Sequence, residues 1–271
     1  MQTGVSTASL FMRKNNEDAL PLLNSLGIKT AEVFLTSFCE YEPSFTALLK
    51  EHKGEISVNS VHILNTQFEP QLLANHPRVK ADAYAWLEKV LVGANALGAK
   101  YYTFHGTARV KRATHSGIND NFPAIIAAFQ PLVAFCEKYG VTLCLENVEW
   151  STYNRPGVFS KIATEIPSLR GVLDIKQARI SGYPYEHYLT EMGNKLAYAH
   201  VSDINEQEKI CLPGKGSFDF DTLILRLKDV GFNGKLFIEV YNQDYQTEDE
   251  LKISCDYLNE LLYKYNCLDK N

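Results

Sequence analysis

The chain has 271 residues, of which 45% are hydrophobic and 22% are charged, with a formal net charge of −5. This composition excludes disorder, a collagen-like repeat and a coiled coil, and the length suits a single α/β barrel of about 250 residues. Because the acidic balance offers no basic face to a phosphate backbone, we expect no nucleic acid partner.

One pattern recurs along the chain: an amphipathic segment ends at a glycine, and a short β-rich run begins a few residues later. The glycines predicted to end helices in the left-handed conformation are Gly27, Gly98, Gly140 and Gly231. Strands are predicted about every 33 residues, the length of a strand–helix unit. They begin near Gly4, Ala31, Ser57, Lys100, Val141, Gly171, Leu196 and Leu236. Helices are predicted over 17–26, 45–52, 79–97, 123–139, 158–166, 185–192, 220–230 and 248–265.

Polar residues stand at the ends of several otherwise apolar strands. They are His62, His105, Glu146, Asp174, His200 and Glu239. In an open sheet, only the strand ends at the switch point share a site, whereas a closed barrel brings all eight C-terminal ends to one mouth. No linker, charge block or low-complexity segment divides the chain. The sequence therefore predicts one domain over 1–271, a parallel eight-stranded (β/α)8 TIM barrel with these side chains at its mouth.

Carboxylates and imidazoles gathered in low-dielectric surroundings repel or desolvate one another unless a counter-charge is present. A divalent cation resolves this conflict, and oxygen and nitrogen donors suit Mn²⁺, Zn²⁺, Co²⁺ or Mg²⁺. Cys144 precedes Glu146 by two residues, so it is predicted to fill the barrel one layer deeper on the same strand face. Glu32, within the run AEVFL, is interpreted as a structural residue, although it could face the mouth.

Five segments carry a family resemblance: LENV (145–148), LDIKQ (173–177), HVSD (200–203), PGKGSFDF (213–220) and FIEV (237–240). In order and strand placement they resemble the xylose-isomerase-like barrel superfamily over essentially the whole chain. That superfamily includes sugar-phosphate isomerases and epimerases, hydroxypyruvate isomerases, inosose dehydratases and apurinic-site endonucleases. The resemblance implies that His62 and His105 lie beside a metal ion, and that in the endonucleases the matching histidines bind further zinc ions. It also implies the four metal ligands, which are Glu146, Asp174, His200 and Glu239.

The chain departs from the family pattern at Gln177, where a histidine commonly follows the strand-six aspartate by three residues. The endonuclease Asp-x-His after strand seven is also missing around PGKGSFDF. With the acidic charge, these differences argue against a nuclease. An amide is a poor metal ligand beside imidazole. Gln177 is therefore predicted to orient a substrate hydroxyl or a metal-bound water, or alternatively to cap the loop after strand six.

The chemistry we infer is proton transfer at a carbon next to a carbonyl. A metal ion acting as a Lewis acid stabilises the enediolate of a keto-sugar, and Glu146 and Glu239 serve as base and acid from strands five and eight. Return of the proton to the same carbon gives epimerisation, and return to the adjacent carbon gives aldose–ketose isomerisation. The alternatives are a ketose or inosose-type dehydratase and a metal-free barrel that binds a sugar without converting it.

Substrate contacts are predicted for His62 and His105 at the mouth and for Gln177. They are also predicted for Lys176, which strand alternation places on the same side as Asp174. The bound molecule is expected to be a sugar or a sugar phosphate. Three weaker signals concern loops. The first is a basic loop, which could hold a phosphate or be solvated. The second is a glycine-rich turn that resembles a phosphate-binding one. The third is a pair of aromatic residues that could form a lid or anchor a loop. These loop residues are Arg109, Lys111 and Arg112; Gly214, Lys215 and Gly216; and Trp150 and Tyr153.

The six cysteines form no CxxC pair and lie mostly in apolar runs, which is typical of reduced thiols in a cytoplasmic protein. The N-terminal residues do not show the pattern of a signal peptide, and no apolar stretch has the length of a membrane span. We therefore expect a soluble cytoplasmic protein without a membrane partner, and the sequence leaves homo-oligomerisation open.

Overall fold

A closed barrel of parallel strands forms the core of the fold. The computed structural model describes residues 1–107 and 121–269. The strands within these ranges are β1 (Gln2–Ser6), β2 (Thr30–Leu35), β3 (Ser57–Ile63), β4 (Tyr101–Phe104), β5 (Thr142–Glu146), β6 (Arg170–Asp174), β7 (Leu196–Val201), β8 (Asp203–Ile204), β9 (Ile210–Cys211) and β10 (Lys235–Ile238). Strands β8 and β9 form a separate antiparallel hairpin. The other strands follow one another around the ring, and β10 pairs with β1 to close it. The predicted eight-stranded barrel is confirmed.

Helices follow the barrel strands in the described ranges. They are α1 (Asn16–Ser25), α2 (Pro43–His52), α3 (Glu69–Leu72), α4 (Pro77–Leu97), α5 (Phe122–Lys138), α6 (Val158–Glu165), α7 (Ile175–Ile180), α8 (Tyr185–Met192), α9 (Phe220–Asp229) and α10 (Asp249–Lys264). Each predicted helix and strand start lies within two residues of the observed one. The sequence did not predict α3, α7 or the β8–β9 hairpin, because such short elements span too few residues to show a period.

The predicted glycine stops are confirmed. Gly98 ends α4 with φ 85°, and its amide donates to the carbonyls of Ala94 and Asn95. The other three predicted glycines, Gly27, Gly140 and Gly231, also have positive φ. An L side chain is strained in this conformation, so glycine lets each helix end sharply.

A small buried cluster supports the mouth of the barrel from below. It consists of Cys144, Val172, Tyr198 and Phe237, and it is separate from the main core, where the helices pack. Each member precedes a candidate metal ligand by two residues on β5, β6, β7 or β10. Since alternate strand residues share a face, the four candidate ligands stand directly on this layer. The predicted position of Cys144 is confirmed. Among the described residues, no helix is both long and apolar enough to cross a membrane.

Candidate metal centre and active site

Four side chains converge at the C-terminal ends of neighbouring barrel strands. Glu146, Asp174 and His200 lie on β5, β6 and β7, and Glu239 follows β10 directly. One donor atom from each lies within 4.8 Å of the others, and all four residues are buried. These are the residues that the family resemblance selected.

Two oxygens of this group lack hydrogen-bond partners. Asp174 Oδ2 and Glu239 Oε2 are buried and accept no hydrogen bond. Buried carboxylate oxygens are normally satisfied, so two such atoms in one cluster indicate a place for a cation. Burial raises the pKa of Asp174 to about 6, with repulsion from Glu146 and Glu239 adding to the rise and Lys176 opposing it. The oxygen and nitrogen donors fit a divalent ion such as Mn²⁺, Zn²⁺, Co²⁺ or Mg²⁺.

His200 stands at the centre of the cluster. Its Nδ1 lies 2.8 Å from Glu146 Oε1 and 3.4 Å from Glu239 Oε2, while its Nε2 lies 2.8 Å from Glu32 Oε1. Burial alone would lower the pKa of His200, but the three carboxylates raise it well above its usual range. Without a metal ion, the imidazolium therefore supplies positive charge to this cluster.

His62 and His105 complete the other side of the mouth. Their Nε2 atoms are 2.8 Å apart, and His105 Nε2 lies 3.4 Å from Glu146 Oε2. His62 Nδ1 faces Glu32 Oε1 at 3.5 Å and Glu239 Oε2 at 3.8 Å. The two histidines thus lie within 4 Å of two candidate metal ligands, Glu146 and Glu239. Two further groups of donor atoms are also close enough to hold an ion. The first consists of His62, His105 and Glu146, and the second of Glu32, His62 and Glu239.

Two buried carboxylates in this half of the mouth were not among the predicted site residues: Glu32 was interpreted as structural, and Glu69 was not considered. Glu32, on β2, contacts both His62 and His200 and has no exposed surface. Glu69, on α3, accepts from Tyr102 Oη at 2.8 Å and lies 2.8 Å from His105 Nδ1. A fully buried glutamate is rare unless it is paired, so the charge inside AEVFL was a usable signal for Glu32. No such signal exists for Glu69, which precedes a proline in a four-residue helix.

Lys176 reaches the cluster by a different route from the predicted one. The strand ends at Asp174, which caps α7 by accepting from the Gln177 amide at 2.9 Å, so the alternation argument was wrong. The Lys176 ammonium nevertheless lies 3.7 Å from Asp174 Oδ2 and 3.6 Å from Glu239 Oε1. Burial alone would lower the pKa of Lys176, but the two carboxylates raise it, so the side chain stays charged.

A cavity of about 400 Å³ adjoins Lys176. Its wall combines aromatic side chains (Tyr183, Tyr185 and Phe218) with aliphatic and polar ones, such as Ile204 and Ser202. Lys176 therefore belongs both to this cavity and to the carboxylate cluster. The cavity offers room for a small molecule beside Lys176.

Gln177 and the aromatic residues after β5 have distinct contacts. The Glu149 amide donates to Gln177 Oε1 at 3.3 Å, which is the kind of loop contact expected of a capping role. Trp150 stacks on His105 with ring centroids 5.5 Å apart, so it borders the mouth. Tyr153 is completely buried and packs on Phe159, which makes it a loop anchor and excludes it as a lid in this conformation.

The glycine-rich turn does not present free amides. The Gly214 and Gly216 amides both donate to Asp203 Oδ2 at 3.0 Å, and the Phe218 amide donates to Asp203 Oδ1 at 2.9 Å. The resemblance of this turn to a phosphate-binding one was therefore misleading, because Asp203 already occupies its donors. The predicted basic residues lie outside the described residues, and they are Arg109, Lys111 and Arg112.

Comparison with known proteins agrees with the barrel. The family model of the xylose isomerase-like TIM barrel matches residues 20–261. Among curated protein sequences, none matches this chain significantly.

Solved structures with the same fold include several proteins of low sequence identity. A D-tagatose 3-epimerase-like protein has a TM-score of 0.79 at 19% identity, over 98% of both chains. The D-psicose 3-epimerase with D-tagatose from Clostridium cellulolyticum H10 has a TM-score of 0.76 at 15% identity, over 99% of this chain and 100% of the other. The IOLI protein with a binding zinc atom has a TM-score of 0.78 at 17% identity, over 98% of this chain and 99% of the other. At these identities the similarity shows the fold.

Proposed function

The chain belongs to the xylose isomerase-like TIM barrel family, and on that premise we propose that it is a metal-dependent isomerase or epimerase of a sugar or sugar phosphate. The observation that carries this proposal is the buried cluster in which two carboxylate oxygens, Asp174 Oδ2 and Glu239 Oε2, accept no hydrogen bond. The similar structures named for sugar epimerases support the same class of reaction.

The proposed metal ligands are Glu146, Asp174, His200 and Glu239. Their donor set suits Mn²⁺, Zn²⁺, Co²⁺ or Mg²⁺, and the binding zinc atom of the similar IOLI protein supports a metal-dependent barrel. When bound, a divalent ion supplies Lewis-acid stabilisation of negative charge on the carbonyl and hydroxyl oxygens of a substrate.

Glu146 and Glu239 are the proposed proton-transfer residues. They come from β5 and from the end of β10, three strands apart in the ring, and both approach His200 Nδ1. A substrate between them would therefore meet one carboxylate on each side. Burial by itself would raise the pKa of Glu146, but His200 and the two other imidazoles lower it to about 2. The Glu146 carboxylate is thus ionised and ready to accept a proton from carbon.

His62, His105, Lys176 and Gln177 are the proposed substrate-binding residues. Two of them are cations on different sides of the cluster, since His105 faces Glu146 and Lys176 faces Asp174 and Glu239. Burial by itself would lower the pKa of His105, but Glu69 and the mouth glutamates raise it to about 9. Both cations would donate hydrogen bonds to substrate oxygens and hold the reacting carbon near the glutamates.

A dehydratase is the second candidate, because the Lys176 ammonium could protonate a departing β-hydroxyl after the same proton abstraction.

The cysteines in the described residues are free thiols, which supports our expectation of a reducing, cytoplasmic compartment.

Solvent deuterium exchange tests the function directly. The metal-loaded protein would be incubated in D₂O with a panel of ketoses and their phosphates, and NMR would follow deuterium uptake at carbon. We expect uptake next to the carbonyl of at least one sugar, with a product that identifies epimerisation, isomerisation or loss of water. A metal-loaded protein that exchanges no proton and converts no sugar would contradict catalysis and leave the non-catalytic sugar-binding barrel.

A further inference from the structure

A second buried carboxylate lies directly behind the proposed metal ligands. Glu32 has no exposed surface, and its Oε2 accepts from Ser60 Oγ and Thr103 Oγ1, both at 2.8 Å. Its Oε1 accepts from Ser6 Oγ at 3.2 Å and lies 2.8 Å from His200 Nε2. Hydroxyls from three barrel strands thus fix this carboxylate, so its position does not depend on His200.

The two ring nitrogens of His200 face different surroundings. Nδ1 faces the proposed ligands Glu146 and Glu239, whereas Nε2 lies 2.8 Å from Glu32 Oε1. An ionised carboxylate only accepts hydrogen bonds, so this contact requires the proton on Nε2. A neutral His200 held in this way has its lone pair on Nδ1, where the proposed ligands converge.

We propose that Glu32 is a positioning residue of the metal centre, which selects the Nε2–H tautomer of His200 and directs Nδ1 towards the ion. The inference rests on the proposed function, since it takes His200 as a ligand. Carboxylates that hold a ligand histidine in this way typically change metal affinity by about 10–100-fold when they are removed. The charge of Glu32 would act in the same direction, because this carboxylate is buried 2.8 Å from a proposed ligand of the cation.

The Glu69–His105 pair provides a matched control within the same mouth. Glu69 is equally buried, and its Oε2 lies 2.8 Å from His105 Nδ1. It therefore holds an imidazole by the same kind of contact, but His105 is outside the proposed four-ligand set. If Glu32 affects metal binding only by stabilising the folded protein through a buried pair, substitution of either glutamate should change the affinity for Zn²⁺ equally.

The test is a titration of the metal-free protein with Zn²⁺ in competition with a chromophoric chelator. Glu32→Gln keeps the shape and an acceptor oxygen but removes the charge, and we expect about tenfold weaker binding. Glu32→Met also removes the acceptor, and we expect about a hundredfold weaker binding. Glu69→Gln should bind Zn²⁺ as the wild type does. Thermal unfolding of each metal-free variant separates affinity from stability.

Long-range ¹H–¹⁵N NMR of the histidine rings provides a readout that does not need the buried substitution to fold. In the Zn²⁺-loaded wild type, we expect His200 to carry its proton on Nε2 and to bind through Nδ1. Zinc binding through Nε2, or folded Glu32 variants with wild-type affinity, would overturn the inference while leaving the metal site in place. A wild type that binds no divalent ion would instead overturn the proposed metal site, and this inference with it.

Discussion

The mouth of the barrel has two unlike halves. The acidic half, on β5, β6, β7 and β10, contains buried carboxylate oxygens that accept no hydrogen bond. The imidazole half, on β2, β3 and β4, contains His105, which lies 2.8 Å from the buried Glu69, and His62, which faces the buried Glu32 at 3.5 Å. Buried carboxylate oxygens that accept no hydrogen bond indicate where a cation binds, and bonded pairs such as Glu69 and His105 hold the site in shape. The contact of Glu32 with His200, at 2.8 Å, is the shortest of the imidazole–carboxylate contacts that join the two halves among the described residues.

The largest expected effect concerns the acidic half. We expect Glu146→Gln and Glu239→Gln each to lower turnover by about a hundredfold or more, because the amide keeps the shape but cannot act as a general base. Both residues are also proposed ligands, so turnover must be compared at equal, measured metal occupancy. Glu165→Gln, at an exposed position on α6, is the matched control and should keep wild-type turnover. Full activity in either metal-loaded active-site variant would refute its proposed role.

The second prediction concerns the imidazole half. Burial alone would lower the pKa of His105, but Glu69 and the mouth glutamates raise it from 6.5 to about 9. The folded protein therefore keeps a proton that the unfolded chain loses above pH 6.5. This stabilisation is complete below pH 6.5 and is lost as the pH rises through about 9. We expect it to lower the free energy of unfolding of the metal-free protein by about 2–3 kcal/mol over that range.

Denaturant unfolding at a series of pH values checks this prediction. Glu69→Gln removes the strongest of the contacts that raise the pKa of His105, so its stability should fall less steeply with pH. Glu165→Gln should keep the wild-type slope. His200, whose pKa is also raised, contributes to the pH dependence of stability in both Glu69→Gln and Glu165→Gln. The difference between the slopes of these two variants therefore reports on His105. Identical slopes would show that the Glu69 contact does not hold a proton on His105.

The smallest expected effect concerns Gln177, at the edge of the acidic half. Its Oε1 accepts from the Glu149 amide, which leaves its amide hydrogens to donate to a substrate hydroxyl. We expect Gln177→Ala to raise KM about three- to tenfold, with metal content unchanged. A lower Tm with an unchanged KM would assign Gln177 to holding the loop alone.

The sequence predicted the acidic half well because its residues end apolar strands. At Glu146 or Asp174, a charge after a buried run contrasts sharply with the residues before it, and barrel closure brings such ends together. Glu32 differs because it lies within its strand, and its partners depend on register. It pairs with Ser60 across a register shift at Ala31 and Glu32, which no hydrophobic pattern reveals.

Other contacts of the site were missed or misread for equally local reasons. Glu69 lies on a helix of four residues, too short to show a period. Lys176 was placed by strand alternation, yet the chain turns into α7 directly after Asp174 and the long side chain reaches back. The Gly214 and Gly216 amides have an intramolecular acceptor in Asp203, eleven or more residues away in the chain. Loop contacts of this kind leave no periodic trace in a sequence.

Metal content tests the central claim most directly. Elemental analysis of protein purified without chelator should find close to one divalent ion per chain in the wild type, and almost none in His200→Ala. His62→Ala, which removes an imidazole from the other half of the mouth, should keep its ion. An unchanged metal content in His200→Ala, or a wild type that binds no ion when divalent metals are supplied, would contradict the four-ligand centre.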